Sequence, residues 1–169
     1  STIYSYFEDI NELTLFASIG YLRDYVHKLS EVGLKGLNSK EYYIQVTCLF
    51  TSSMFEHPDI FYNMFFGPHR DNFCSIIQEY YDLFPEELPD LPVELNSMVR
   101  EGNLFQRHRH LVQKMIQDGY LPAENEERIL NLVIRMQQSF LIDVRDQKEQ
   151  DLQAVMARFT DLLHFILDK

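Results

Sequence analysis

The amino-acid sequence predicts an all-α protein, and three observations carry that prediction. Six Gly and six Pro in 169 residues are too few for the tight turns that a chain of short strands demands. Apolar residues recur at spacings of three and four along most of the chain, and no stretch alternates with period two for long enough to make a strand. Hydrophobic residues reach 46% and aromatics 14%, a composition that supports a buried core.

The elements follow in order. From Glu8 to about Val32, Ile10, Leu13, Phe16, Ala17, Gly20 and Tyr21 fall at helical spacing, and "EVGLKGLNSK" ends the pattern with two glycines. Asn38 or Ser39 caps the next helix, in which Tyr42, Val46, Leu49, Phe50 and Ser53 form one stripe until Pro58. "IFYNMFF" is a short apolar helix that stops at Gly67-Pro68. Phe73, Ile76, Ile77, Tyr80, Tyr81 and Phe84 then mark an amphipathic helix closed by Pro85. "PEELPDLP" is an irregular connection. A helix from about Val93 to Asp118, interrupted near Gly102, ends at Gly119. In "RILNLVIRMQQSFLIDV" the apolar residues occupy more than one face, and the final helix carries a seam of Leu152, Val155, Met156, Phe159, Leu162, Leu163 and Ile166. Surplus apolar surface on two adjacent helices predicts a pair that docks on a second copy, making a homodimer. Leu132, Val133, Met136, Phe140, Val155, Met156, Phe159 and Leu163 are its expected interface.

Charge and chemistry narrow the function. Fifteen Lys and Arg against 26 Asp and Glu leave a formal charge of -11, which repels phosphate backbones and anionic lipid from the bulk of the surface. Cys48 and Cys74 lack metal or disulfide spacing, and no apolar run approaches a bilayer span. A cytoplasmic location without a membrane partner is expected. The sequence has no GxSxG, HExxH, Walker-type or EF-hand pattern, so no catalytic residue, metal or cofactor is expected. "HRDN" at residues 69–72 lacks the companion Asn and Gly-rich loop of a kinase, and Asp71 suits a helix N-terminus.

"RHRH" at residues 107–110, with Arg100 and Lys114, is the one conspicuous basic stretch; it reads first as a solvated or ion-paired helix face, with anionic-ligand or polar-pocket use as the alternative. His108 and His110 point to opposite sides of that helix. His27, His57 and His164 are isolated. Phe50, Met54, Phe61, Phe65, Tyr80, Phe105 and Met136 belong to an aromatic and Met set denser than a core needs, and are the candidate lining of a small-molecule pocket. Core packing competes as the role of each.

The opening "STIYSYFEDINEL" resembles the end of the helix-turn-helix in tetracycline-repressor-type (TetR family) transcriptional regulators. There, a recognition helix closes on Thr, an apolar residue, Tyr, any residue, His or Tyr, and Phe, before a capped turn and a Glu-Leu that begins a long linker helix. Thr2, Ile3, Tyr4, Tyr6, Phe7, Glu12 and Leu13 match in register. The resemblance implies that residues 1–13 are the remnant of a DNA-binding domain whose earlier basic helices precede Ser1. Residues 14–169 are then a TetR-like ligand-binding and dimerisation domain, its last two helices forming a four-helix dimer interface. It also implies DNA contacts from Thr2, Tyr4, Ser5 and Tyr6, with Ile3 and Phe7 in the small domain's core. Ile10 stands where the family has a phosphate-contacting Lys. The implied partners are a double-stranded DNA operator, a small-molecule effector and a second copy, and the implied function is a ligand-responsive repressor. An all-α dimeric interaction module without a ligand is the alternative, and an all-α enzyme ranks third.

Overall fold

The structure is a computed structural model that describes residues 6–33 and 35–168. Among the described residues there is no strand. The helices are α1 (Ile10–Ser18), α2 (Arg23–Gly33), α3 (Ser39–Glu56), α4 (Pro58–Phe65), α5 (Arg70–Leu83), α6 (Val93–Val99), α7 (Leu104–Gln117), α8 (Glu126–Arg145) and α9 (Leu152–Leu167). Short 3-10 turns lie at Ile19–Leu22, Pro85–Glu87 and Ala123–Asn125.

Local chemistry sets the boundaries. Asp9 caps α1 by accepting from the backbone N–H groups of Asn11 at 2.8 Å and Glu12 at 2.9 Å. Asn38 and Glu41 form a reciprocal capping box on α3, Asn103 caps α7 and Asp151 caps α9. Pro58 occupies the first turn of α4, where its missing N–H costs nothing. The single Glu8-to-Val32 helix of the sequence reading is two helices joined by the 3-10 turn Ile19–Leu22. The interruption near Gly102 is a full break between α6 and α7. Gly102 is required there because a Cβ would stand 2.6 Å from the Cα of Cys74 on α5.

α7 and α8 pack on each other and on α3, α9 lies against both α3 and α8, α4 crosses α8, and α1 rests on α5 and α4. Two apolar clusters result. The larger joins α1 to α6 with Ile134, Leu141 and Val144 of α8. The smaller gathers Tyr43, Val112, Met115, Leu130, Val133, Phe159 and Leu163. At the N-terminal end Phe7, Phe16 and Tyr80 stack edge to face at 5.2 and 5.1 Å, so Phe7 rests on α1 and α5.

This packing corrects the interface expected of the last two helices. Val133, Val155, Phe159 and Leu163 are buried inside the single chain, because α3 covers the seam of α9 as well as α8 does. Side chains already sealed in one subunit cannot also meet another. Met136, Phe140 and Met156 are half-buried, and Leu132 stands 53% exposed. Leu162 and Phe165 are also exposed on α9.

Candidate functional site

Between the two apolar clusters runs a chain of buried polar groups from three helices. Thr51 of α3 donates its hydroxyl hydrogen to the Thr47 carbonyl at 2.7 Å, so its oxygen accepts from Gln137 Nε2 of α8 at 2.9 Å. That orientation turns Gln137 Oε1 toward His108 Nε2 of α7, 2.9 Å away. His108 must therefore carry its hydrogen on Nε2, and its Nδ1 accepts from the Tyr43 hydroxyl of α3 at 2.9 Å. Every link has one direction. Burial pushes the His108 pKa down to about 4, a fall opposed by the Gln137 hydrogen bond and aided by the charge of Arg107. Burial also raises the Tyr43 pKa.

Arg107 lies beside this chain, 4% exposed. Its Nη1 donates to the carbonyls of Val99 at 3.1 Å and Glu101 at 2.9 Å, and the guanidinium carbon lies 5.2 to 5.9 Å from the ring centres of Phe50, Phe65 and Tyr25. Those rings offer negative faces to the cation. Among the described residues no carboxylate forms an ion pair with it; its side chain interacts with the Tyr25 hydroxyl, and Nη2 lacks a hydrogen bond of ordinary geometry. A buried cation is costly unless paired, so an unpaired one is the strongest chemical signal in the molecule. Burial raises the pKa of Tyr25, and the neighbouring Arg107 pulls it back.

Three openings surround the cluster. A cavity of about 20 Å³, room for a single water, is lined by Tyr25, Thr47, Phe50, Leu104, Arg107, His108 and Leu111 among others. The hydroxyl of Thr47, like Nη2 of Arg107, is buried without a hydrogen bond of ordinary geometry. On the far side of Leu111 is a groove of about 730 Å³ between the α2–α3 connection and α6–α7, walled by Leu37, Tyr42, Val93 and Leu95. On the far side of Leu104 a more polar cleft of about 250 Å³ is bounded by Arg70, Asp71, Phe105 and Arg135. The groove matches the size of small-molecule sites.

The sequence-derived residues meet this site unevenly. Phe50 lines the small cavity, while Phe65 and Phe105 line the polar cleft. Met54, Phe61 and Tyr80 are buried in the core, and neither they nor Met136 border any of the three openings. The physical reason is that the aromatic set packs on itself: Phe50 stands edge-on to Phe61 at 5.8 Å and Phe65 at 5.3 Å. Arg107 and His108 correct the solvated reading of "RHRH", since α7 is enclosed by α3, α6 and α8. Arg109 is ion-paired, with Glu127 at 2.6 Å, and His110 borders the groove. Of the four expected DNA-contacting residues, Thr2, Tyr4 and Ser5 lie outside the described residues, and Tyr6 is 78% exposed.

Among the described residues no group of three or more His, Cys, Asp or Glu side chains is placed to hold a metal ion, and no helix is long and apolar enough to cross a membrane. Comparison with protein-family models, curated proteins and solved structures finds no match.

Proposed function

We propose that this chain is the effector-binding and dimerisation part of a homodimeric, ligand-responsive transcriptional repressor. The carrying observation is the buried guanidinium of Arg107, without a carboxylate partner among the described residues, near the Tyr25 ring of α2 and in a small cavity that shares Leu111 with a groove of small-molecule size. In this reading Thr2, Tyr4, Ser5 and Tyr6 touch operator DNA, and α1 with α2 links that contact to the ligand site. An occupant that draws Arg107 away from the Tyr25 ring acts directly on α2. The 3-10 turn Ile19–Leu22 is where such a displacement changes the direction of α1. Because half-site spacing follows the DNA helical repeat, a small change in separation of two heads abolishes their simultaneous docking. The effector must prefer the non-binding geometry by a few kcal/mol. In this reading Leu132 of α8 and Leu162 of α9, both exposed, meet a second copy.

The test is fluorescence anisotropy of the protein encoded by the whole gene on DNA from its own promoter, at about 50 and 200 mM salt. Repressor function requires sequence-selective binding that weakens steeply as salt rises. Equal affinity for promoter and unrelated DNA would remove the reading. A ligand-free, all-α dimeric interaction module is the second reading, favoured by one observation: Met54, Phe61 and Tyr80 are packed into the core and border none of the openings.

A further inference from the structure

We propose that Arg107, with Thr47, holds the carboxylate of a small organic acid whose apolar body lies in the groove beyond Leu111. The proposal deepens the ligand-responsive reading and rests on it for its biological meaning, but the site is argued from its own chemistry.

Two polar groups without a hydrogen bond of ordinary geometry line the same cavity: Nη2 of Arg107, whose nearest polar neighbour is the Tyr25 hydroxyl, and the hydroxyl of Thr47, whose neighbour is the Tyr43 hydroxyl, on side chains 4% and 2% exposed. Nη1 is committed to two backbone carbonyls, which hold the guanidinium plane in place and leave Nη2 to a guest. An oxyanion on that nitrogen gains a charge-assisted hydrogen bond and neutralises a cation that the fold leaves uncompensated. The charge count selects a monoanion. His108, the other ionisable nitrogen base lining the cavity, is fixed in its neutral form by the Tyr43 to Thr51 chain, no Lys borders the cavity, and Lys114 on the groove wall is ion-paired with Asp118 at 2.9 Å. One guanidinium matches one carboxylate, whereas a phosphate dianion would bring charge that nothing there balances.

Size supplies the second half of the argument. About 20 Å³ accommodates a water but no carboxylate, so the described state is closed. Leu111 borders both the cavity and the groove of about 730 Å³ and is only half-buried. In this proposal the Leu111 side chain turns aside and the two spaces join. The guest's head then reaches Arg107 while its body lies along Leu37, Tyr42, Val93 and Leu95. A body of about eight carbons fits within that volume along its apolar wall.

Isothermal titration calorimetry of the chain with octanoate, octanol and octyl phosphate tests this directly. Octanoate is expected to bind at least about tenfold more tightly than octanol, the difference one charge-assisted contact makes, and more tightly than octyl phosphate. R107M should erase the preference for acid over alcohol. Should R107M fail to fold, since it strips the donors from Val99 and Glu101, R107K retains the cation and is expected to keep the preference at reduced affinity. L111A removes the barrier and should speed octanoate association by stopped-flow without altering the preference. Equal binding of octanoate and octanol, no octanoate binding at all, an unchanged preference in folded R107M, or a lost preference in folded R107K would each overturn the proposal. Promoter binding is measured separately. Octanoate bound on Arg107 by a protein that ignores DNA would leave the acid site standing and remove the repressor reading, and selective DNA binding without octanoate uptake would do the reverse.

Discussion

His108 makes this protein acid-sensitive in a pH range where its carboxylates do not. Its imidazole is held at about 4 against an ordinary 6.5, so the unfolded chain takes up this proton more readily than the folded one. The depressed value means that stability is complete above about pH 6.5, falls as the pH drops, and levels off below about 4. The full difference is about 3 kcal/mol, of which about 2 kcal/mol is lost by pH 5. Asp9, Asp118 and Asp168 are also held low, by the α1 cap, by Lys114 and by Lys40, but their contributions fade only as the pH falls further, through the carboxylate range. Urea denaturation followed by far-UV circular dichroism at pH 7 and pH 5, at constant ionic strength, isolates the imidazole. With a slope of about 2 kcal/mol per molar urea, the midpoint should fall by about 1 M. H108Q keeps an acceptor for Tyr43 and a donor for Gln137 but cannot titrate, so its midpoint should barely move between the two pH values. An equal fall in wild type and H108Q would show that the reasoning is wrong.

Three further outcomes follow from particular contacts. Q137L strands the Nε2–H of His108 and removes the donor to Thr51, which should cost about 3 kcal/mol and lower Tm by roughly 10 °C, measured by differential scanning calorimetry. G102A drives a methyl group into the backbone of α5, with Cys74 Cα at 2.6 Å and Cys74 N at 2.7 Å; destabilisation of about 2 kcal/mol or more is expected in the same urea assay. L132E leaves the single-chain core untouched, because Leu132 is 53% exposed, so it should preserve Tm at low protein concentration while weakening self-association at least about tenfold by sedimentation equilibrium. A wild-type chain that sediments as a monomer at 50 µM, or an L132E dimer of unchanged affinity, removes the two-fold partner from the functional reading.

Fold class and many boundaries were legible because they depend on local chemistry. Asn38, Pro58 and Pro85 act on the backbone within a turn of their own position, and the amphipathic stripe of α5 lies in consecutive residues. The break at Gly102 was visible as a glycine, but its cause is the backbone of α5, some thirty residues earlier. Surplus apolar surface was visible too, although sequence could not say what covers it. Val155, Phe159 and Leu163 satisfy a two-fold interface pattern and an intrachain one equally well. α3 decides between them through Tyr43, a residue more than a hundred positions earlier. The site was hidden for a related reason. Arg107 and His108 read first as surface, with a polar pocket as the alternative, and the enclosure of α7 by α3, α6 and α8 is what turns them inward.

The buried polar chain and the unpaired cation differ in what they do for the fold. Tyr43, His108, Gln137 and Thr51 satisfy one another with one consistent direction of donation, so they align α3, α7 and α8 in a single register and call for no guest. Arg107 sits beside them on α7, without a carboxylate partner among the described residues and facing three rings, including Tyr25 on α2. The polar links hold α7 in register with α3 and α8, while Arg107 reaches past α6 to the Tyr25 ring of α2, 5.9 Å away. α7 thus carries fixed polar links to α3 and α8 through His108, and aromatic contacts to α2, α3 and α4 through Arg107.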